Sequence, residues 1–480
     1  MRTFYITTPI FYPNAKLHLG HAYTTTVSDI LARYHRLKGR YAPEEEERVY
    51  FLTGSDENTQ KILPAAKAVG QRPEDFLEGV VANFKNLFSE LDISYDQFIR
   101  TSDEKAHWPG AQLLWQKLQA SGDIYKKEYE GLYCVGHEAF LTPKDLVDGK
   151  CPEHGEVPKV VREENYFFRL SRYSETVRAH IESGEIAIFP ETRKHEILSL
   201  LREGLQDVSF SRPTSAGSIG VPVPGDKTQV MYVWCDALAN YLTALGFGQS
   251  DEELYRQFWP AQVHVMGKDI LRFHAAIWPA MLLSANLPLP KALLVHGFIV
   301  SGGRKMSKSL GNVIDPEELI TAYGADALRF YLARHISPFE DSELTRESFK
   351  DAYNADLANG LGNLAARILT LAESHLPEPV ALPRLAFPRE FSEALDRFEV
   401  NAAAELIATA VQKLDQKITA TAPFKVVKEN PEKGRECISE LVAGLAAIVV
   451  MLEPVIPATA RKIWVAIQEN KKPETLFLRK

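Results

Sequence analysis

The chain has 480 residues, 45% of them hydrophobic and 25% charged, enough to bury sizeable cores in about two to four domains and too apolar for a disordered polymer. A net charge of −8 excludes a chain held to nucleic acid by overall charge, so phosphate contacts would need a local stripe of Lys and Arg. Four cysteines in this length argue against a disulfide framework, and the longest apolar run, Leu441 to Leu452, is shorter than an ordinary membrane span and reads as a buried helix.

The N-terminus enters a strand, Thr3 to Thr8, with no secretory or transit leader before it, so a cytoplasmic protein without membrane contact is expected. His18-Leu19-Gly20-His21 follows and opens a helical run through Leu19, Tyr23, Val27, Ile30, Leu31 and Tyr34, expected to end at Gly39. Exposed N–H groups of a first helical turn carry partial positive charge, imidazole adds directional donors, and Gly20 lets a nucleotide approach the backbone. The acidic stretch Pro43 to Arg48 reads as a solvated loop. Val49 to Thr53 reads as a buried strand, which puts Asp56 just past its carboxyl end, where open parallel sheets bind ligands.

From about Thr101 to Arg212 the pattern changes. Cys134-Val135-Gly136-His137 and Cys151-Pro152-Glu153-His154 place two Cys-x-x-His pairs around a short spacer, supplying the two thiolates and two imidazoles of a closed, structural tetrahedral zinc site. Tyr166 to Leu170 reads as a strand or packed connector. Farther on, Lys305-Met306-Ser307-Lys308-Ser309 follows Ser301-Gly302-Gly303-Arg304, whose glycines would let a loop close over pyrophosphate and reopen. Short helices are expected on either side of Gly324. Helical spacing then dominates from Phe349, broken between Pro377 and Pro388, so the last third reads as a helix bundle.

Taken singly, these features have ordinary readings: a helix start with solvated histidines, a basic loop, an N-capping aspartate at 56, a core tryptophan at 234. The two motifs in this order resemble class I aminoacyl-tRNA synthetases. Thr7 to Lys16, Phe51 to Glu57, Tyr232 to Leu238, and Gly267 to His274 ending in Trp278-Pro279-Ala280 are similar to segments of the methionyl-tRNA synthetases, and the resemblance covers nearly the whole chain.

The resemblance implies an α/β fold. A Rossmann-type parallel-sheet catalytic domain (1–115 and 228–300) is split by a connective insertion with a zinc knuckle (116–227). A Lys-Met-Ser-Lys-Ser loop and stem-contact region (301–350) and an α-helical anticodon-binding bundle (351–480) follow. It implies ATP-dependent ligation of L-methionine to tRNA(Met) through methionyl-adenylate. His18, Gly20, His21, His296, Ile299, Lys305 and Lys308 are expected at ATP, with His18, His21, Lys305 and Lys308 catalytic. Asp56 is expected on the methionine ammonium, and Ile10, Tyr12, Trp234, Ala237, Leu238, Tyr241, Ile270 and His274 around its side chain. The expected cofactors are magnesium arriving with ATP and zinc held by Cys134, His137, Cys151 and His154. The tRNA would contact the enzyme at its acceptor end and CAU anticodon, the latter through Asn363, Arg367 and Phe424. The chain ends soon after the bundle, where some relatives append a dimerising barrel, so a monomer is expected.

Several positions depart from the family. Phe424 stands where a tryptophan is usual, Asp415 and Lys417 replace an asparagine and a tyrosine, and Asn58-Thr59 replaces His-Gly. Two other functions compete on sequence: a non-catalytic tRNA- or protein-binding relative, and an adenylating enzyme acting on another acid or carrier. Retention of His18, His21, Asp56, Lys305 and Lys308 weighs against the first, and the bundle weighs against the second.

Overall fold

The computed structural model describes residues 2–59, 61–134, 139–141, 143–152, 155–216, 219–305 and 313–480, with backbone alone for 129, 139, 140, 216, 304 and 305. Its centre is a six-stranded sheet whose strands run, in spatial order, Gln97–Arg100, Glu47–Ser55, Arg2–Phe11, Val263–Gly267, Ala292–His296 and Ala187–Phe189. Every neighbouring pair is parallel. We call Arg2–Phe11 β1, Glu47–Ser55 β2, and the helix between them, Leu19–Tyr41, α1.

Alternation along the strands sends side chains to two cores, the expected pattern for a sheet covered on both faces. Phe4 and Ile6 of β1 join Phe51 in a core continuous with α1 and the C-terminal helices. Tyr5 and Leu52 join the opposite core, with Trp115, Tyr241 and Trp278. The β1–β2 register shifts between Thr7 and Ile10, where Pro9 lacks the N–H a regular ladder requires. The spatial order turns back between β1 and Val263–Gly267, the switch point at which such sheets open a crevice beyond their carboxyl ends.

The segment 116–227 builds a four-stranded antiparallel sheet from Ala139–Leu141, Ile124–Cys134, Lys159–Phe168 and Val208–Ser209. It does not lie wholly outside the central sheet, because Ala187–Phe189 returns to pair with Ala292–Leu294 at the sheet edge. Three residues carry too little periodicity to be read as a strand beforehand.

The last third is helical, as the spacing predicts. Pro431–Val455 is the one described helix long and apolar enough to cross a membrane, but 67% of its apolar window is buried inside the protein. Arg329, fully buried, ties the halves together: its Nη1 lies 2.7 Å from Asp29 Oδ2 on α1, and Nε donates to the Val455 carbonyl at 2.8 Å. Burial alone would raise the Asp29 pKa, but Arg329 and Arg33 outweigh it and hold the carboxyl below its usual value. One further element stands out: Arg346–Ala352 continues as a ten-residue π-helix, Tyr353–Gly362, before α-helical winding resumes at Asn363–His375.

Candidate active site

Of the predicted site residues, Asp56 and His296 stand at the carboxyl ends of parallel strands, and His18, Gly20 and His21 at the start of the helix that follows β1. After β1 the chain turns at His18, which caps α1: its Nδ1 accepts from the Gly20 N–H at 3.0 Å, while the His18 N–H donates to Nδ1 of His21 at 3.1 Å. The two rings stack with centroids 3.8 Å apart. A Cβ on residue 20 would stand 2.9 Å from the His18 ring, so glycine here first makes room for the cap itself. Burial, with smaller contributions from His18 and His296, pushes the His21 pKa well below that of a free imidazole. A neutral His21 whose Nδ1 accepts a hydrogen bond carries its proton on Nε2, where it is a donor.

Thr24, one turn into α1, links this cap to the strand ending at His296. Its hydroxyl contacts the Gly20 carbonyl at 3.0 Å and His296 Nε2 at 2.7 Å, and His296 Nδ1 faces the Gly297 carbonyl at 2.8 Å. Burial lowers the His296 pKa against the pull of that carbonyl. The neutral ring therefore donates through Nδ1 and accepts from Thr24.

Past His296, the strand Ile299–Ser301 pairs antiparallel with Arg304–Lys305. Gly302 and Gly303, at φ 65° and 67°, make the tight turn between them. Their N–H groups donate to Glu343, at 2.6 Å on Oε1 and 3.0 Å on Oε2. The glycines expected to hinge a loop are thus fastened in a pinned hairpin. Lys308 lies outside the described residues, and for Lys305 only the backbone, paired with Val300, is described.

The methionine candidates gather on the other side of β1. Asp56, 3% exposed, follows β2, and its N–H donates to the Phe11 carbonyl at 2.9 Å. Trp234, Ala237, Leu238 and Tyr241 come from one helix, Val233–Thr243. Ile270 and His274 come from the turn and π-helical segment after the strand Val263–Gly267. Ile10, Tyr12, Trp234 and Ile270 are half-buried against the core that contains Leu238 and Tyr241. His274 accepts at Nε2 from the Tyr241 hydroxyl, 2.7 Å away, because its Nδ1 donates to the Ile270 carbonyl at 3.0 Å. Burial lowers its pKa to about 4, so the ring is neutral.

Two members of this aromatic wall escape sequence reasoning. Phe273 stacks on Trp234, with centroids 3.7 Å apart and planes 9° from parallel. His264 lies 2.7 Å from the Thr7 hydroxyl through Nδ1, and its ring centroid is 4.3 Å from that of Tyr241. Phe273 directly precedes His274 in a quoted segment; nothing in the sequence marks its meeting with a tryptophan so distant along the chain.

Of the zinc candidates, Cys134 and Cys151 are described and buried, at 1% and 0% exposure, and neither is in a disulfide. Cys134 pairs with Ala139 in an antiparallel ladder, and the Cys151 carbonyl accepts from the Gly155 N–H at 2.8 Å. His137 and His154 lie outside the described residues, and among the described residues no three His, Cys, Asp or Glu side chains converge. In the bundle, Asn363 and Arg367 share the helix that follows the π segment, and Phe424 is 45% exposed near the start of Pro423–Glu429. Arg367 Nη1 is hydrogen-bonded to Asp415 Oδ1, and Lys417 to Glu440 at 2.8 Å.

Comparisons with known proteins find relatives along nearly the whole chain. The sequence profile of the family described as tRNA synthetases class I (M) matches residues 4–157 and 141–369. The methionine–tRNA ligase of Caldanaerobacter subterraneus subsp. tengcongensis is 41% identical over 478 residues, spanning 96% of this chain and 73% of that protein. That of Clostridium acetobutylicum is also 41% identical, with the same shares covered. Among solved structures, Mycobacterium tuberculosis methionyl-tRNA synthetase in complex with methionyl-adenylate superposes with a TM-score of 0.88 at 37% identity, covering 97% of this chain and 93% of that one. Its apo form gives 0.84 at 33% identity, covering 100% and 98%. A family profile matched over residues 4–157 and 141–369, and relatives 41% identical over 96% of the chain, place it in the methionyl branch of the class I tRNA synthetases.

Proposed function

We infer that this chain catalyses ATP-dependent ligation of L-methionine to tRNA through a methionyl-adenylate intermediate. The observation that carries the reading is the placement, at one sheet's carboxyl ends, of imidazoles at a helix N-terminus and a buried carboxylate, with a cluster of aromatic side chains packed against the same sheet. In the first step a carboxylate oxygen of methionine attacks the α-phosphorus of ATP. The bond from that phosphorus to the bridging oxygen breaks, and pyrophosphate leaves. Negative charge grows on oxygens throughout, so fixed donors matter more than a base. The Nε2–H of His21, the neighbouring His18 and the first-turn amides of α1 are proposed as those donors, with Gly20, His296 and Ile299 beside the nucleotide and Lys305 and Lys308 on the departing phosphates. Magnesium arrives with ATP and offsets part of the phosphate charge.

Asp56 is proposed to hold the methionine ammonium. Ile10, Tyr12, Trp234, Ala237, Leu238, Tyr241, Ile270 and His274 would enclose the thioether, whose polarizable sulfur suits aromatic edges. In the second step a hydroxyl of the tRNA terminal ribose attacks the methionyl carbonyl. The acyl–phosphate bond breaks, AMP departs, and the hydroxyl proton passes to the leaving phosphate or to water. The bundle, through Asn363, Arg367 and Phe424, is proposed to read a CAU anticodon, with the domain limits given above.

Two buried cysteines, neither in a disulfide, suit a structural zinc completed by His137 and His154, where neutral imidazoles and thiolates would supply four ligands and leave no open position. Four cysteines with no disulfide suit the cytoplasm. Every candidate site lies on one chain, and a monomer is the proposed state. The test is pyrophosphate exchange with methionine, leucine, isoleucine, cysteine and homocysteine, followed by charging of matched tRNA. Selective exchange and charging with methionine is expected; no exchange with any of them would overturn the reading.

A further inference from the structure

The methionine pocket joins two segments distant along the chain: residues 56–59 after β2, and the helix Val233–Thr243. Between them lies a buried polar chain that the mechanism does not use. Asp236 stands on that helix two residues after Trp234 and just before Ala237, and it is 0% exposed. A carboxylate so placed is costly unless both oxygens are satisfied. Its Oδ1 lies 2.5 Å from Nε2 of His107, and its Oδ2 accepts from Nδ2 of Asn58 at 2.6 Å. The Asn58 amide also donates to the Thr101 carbonyl at 3.0 Å, and His107 Nδ1 meets the Thr243 hydroxyl at 2.8 Å. Thr101 in turn holds the neighbouring Glu57 N–H through its hydroxyl at 2.8 Å.

This chain of bonds spans from the segment that carries Asp56 to the helix that carries Trp234, Ala237, Leu238 and Tyr241. We propose that Asn58 is a positioning residue for methionine: by donating to Asp236 it fixes the distance between the ammonium-binding carboxylate and the thioether wall. The proposal rests on the pocket assignment above. The side-chain type follows from the chemistry. An amide can donate to Asp236 and to Thr101 at once, carries no charge, and has no proton to lose near neutral pH. Aspartate in its place would set two carboxylates face to face in a dry site. Serine would be too short to span the gap.

The brace holds methionine alike before and during the phosphoryl step, so its loss should appear in KM for methionine rather than in kcat. The residues proposed for ATP stand at the start of α1 and in the segment from His296 onward, outside the brace, so KM for ATP should not move. We would measure pyrophosphate exchange for Asn58→Asp, Asn58→Ser, Asp236→Asn and the double variant Asn58→Asp/Asp236→Asn, with thermal unfolding of each. N58D should raise the methionine KM at least tenfold and N58S at least threefold, with kcat and the ATP KM within threefold of wild type. The double variant restores one carboxylate and one amide across the same gap and should regain part of the N58D loss. Recovery stays incomplete because the new carboxylate faces the Thr101 carbonyl.

N58S removes a donor without adding charge and serves as the deciding variant if N58D does not fold. Methionine and ATP KM rising together, kcat falling at an unchanged methionine KM, or N58S at wild-type values would each overturn the proposal. Asp56→Asn separates the two levels. If it leaves the methionine KM unchanged, the pocket reading fails; if it raises KM while the Asn58 variants do not, only the brace fails.

Discussion

His274 should make the protein lose stability on mild acidification, by an amount its surroundings set. The ring is buried and neutral, donating to the Ile270 carbonyl and accepting from Tyr241, and burial lowers its pKa from 6.5 to about 4. In the unfolded chain it takes up a proton near pH 6.5, while the folded ring does not. The unfolded state therefore binds more protons between these values, and stability falls as pH falls through that window. The contribution is fully present above about pH 6.5. The shift corresponds to about 3 kcal/mol in all, of which about 1 kcal/mol is lost between pH 7 and pH 5.5. Urea unfolding followed by tryptophan fluorescence at those two pH values, on wild type and His274→Asn, isolates the term, because the other buried histidines titrate in both proteins. Wild type should lose about 1 kcal/mol more than the variant. Equal losses would refute a buried neutral His274.

Asp56→Asn should raise the methionine KM in pyrophosphate exchange by about 30- to 5,000-fold, the range for removing one partner of a buried charge pair, and leave the ATP KM unchanged; a shift in the ATP KM alone would contradict the assignment. His21→Ala should lower kcat for exchange by about 10²- to 10³-fold, as expected for one preorganised donor, and a loss below tenfold would exclude that role. Asp415→Asn frees Arg367 from an exposed ion pair worth about 0.2–1 kcal/mol, so kcat/KM for charging should rise by up to about fivefold and become more salt-dependent. An unchanged charging rate and salt slope would show that the pair does not restrain the arginine.

Legibility in the sequence followed locality. β1, β2 and α1 could be read because their periodicity and the His18 cap lie within a few residues of one another, although α1 passes Gly39 and ends at Tyr41, where the Ala42 N–H closes on the Lys38 carbonyl. The short helices around Gly324 and the break between Pro377 and Pro388 were legible for the same reason. What the sequence hid were meetings between distant segments. Nothing local joins Trp234 to Phe273, or Asn58 to Asp236 and His107. Asp415 could be seen as unusual, but that its carboxylate holds Arg367 depends on how two helices cross. The Gly302–Gly303 pair reads in sequence as freedom to turn, and the Glu343 carboxylate that holds its N–H groups comes from a distant strand.

The π-helical stretch from Tyr353 to Gly362 acts as a phase setter for all that follows it. Each residue in its wider winding turns the chain through a smaller angle than in an α-helix, so the direction in which Asn363 and Arg367 project is fixed by how many residues are wound that way. Deleting a single residue there would swing both around the axis by somewhat less than the ~100° that one α-helical residue turns, without touching either, and the surface they form would face elsewhere. The direction of the surface proposed to meet the anticodon is thus written in a count of residues rather than in any one side chain.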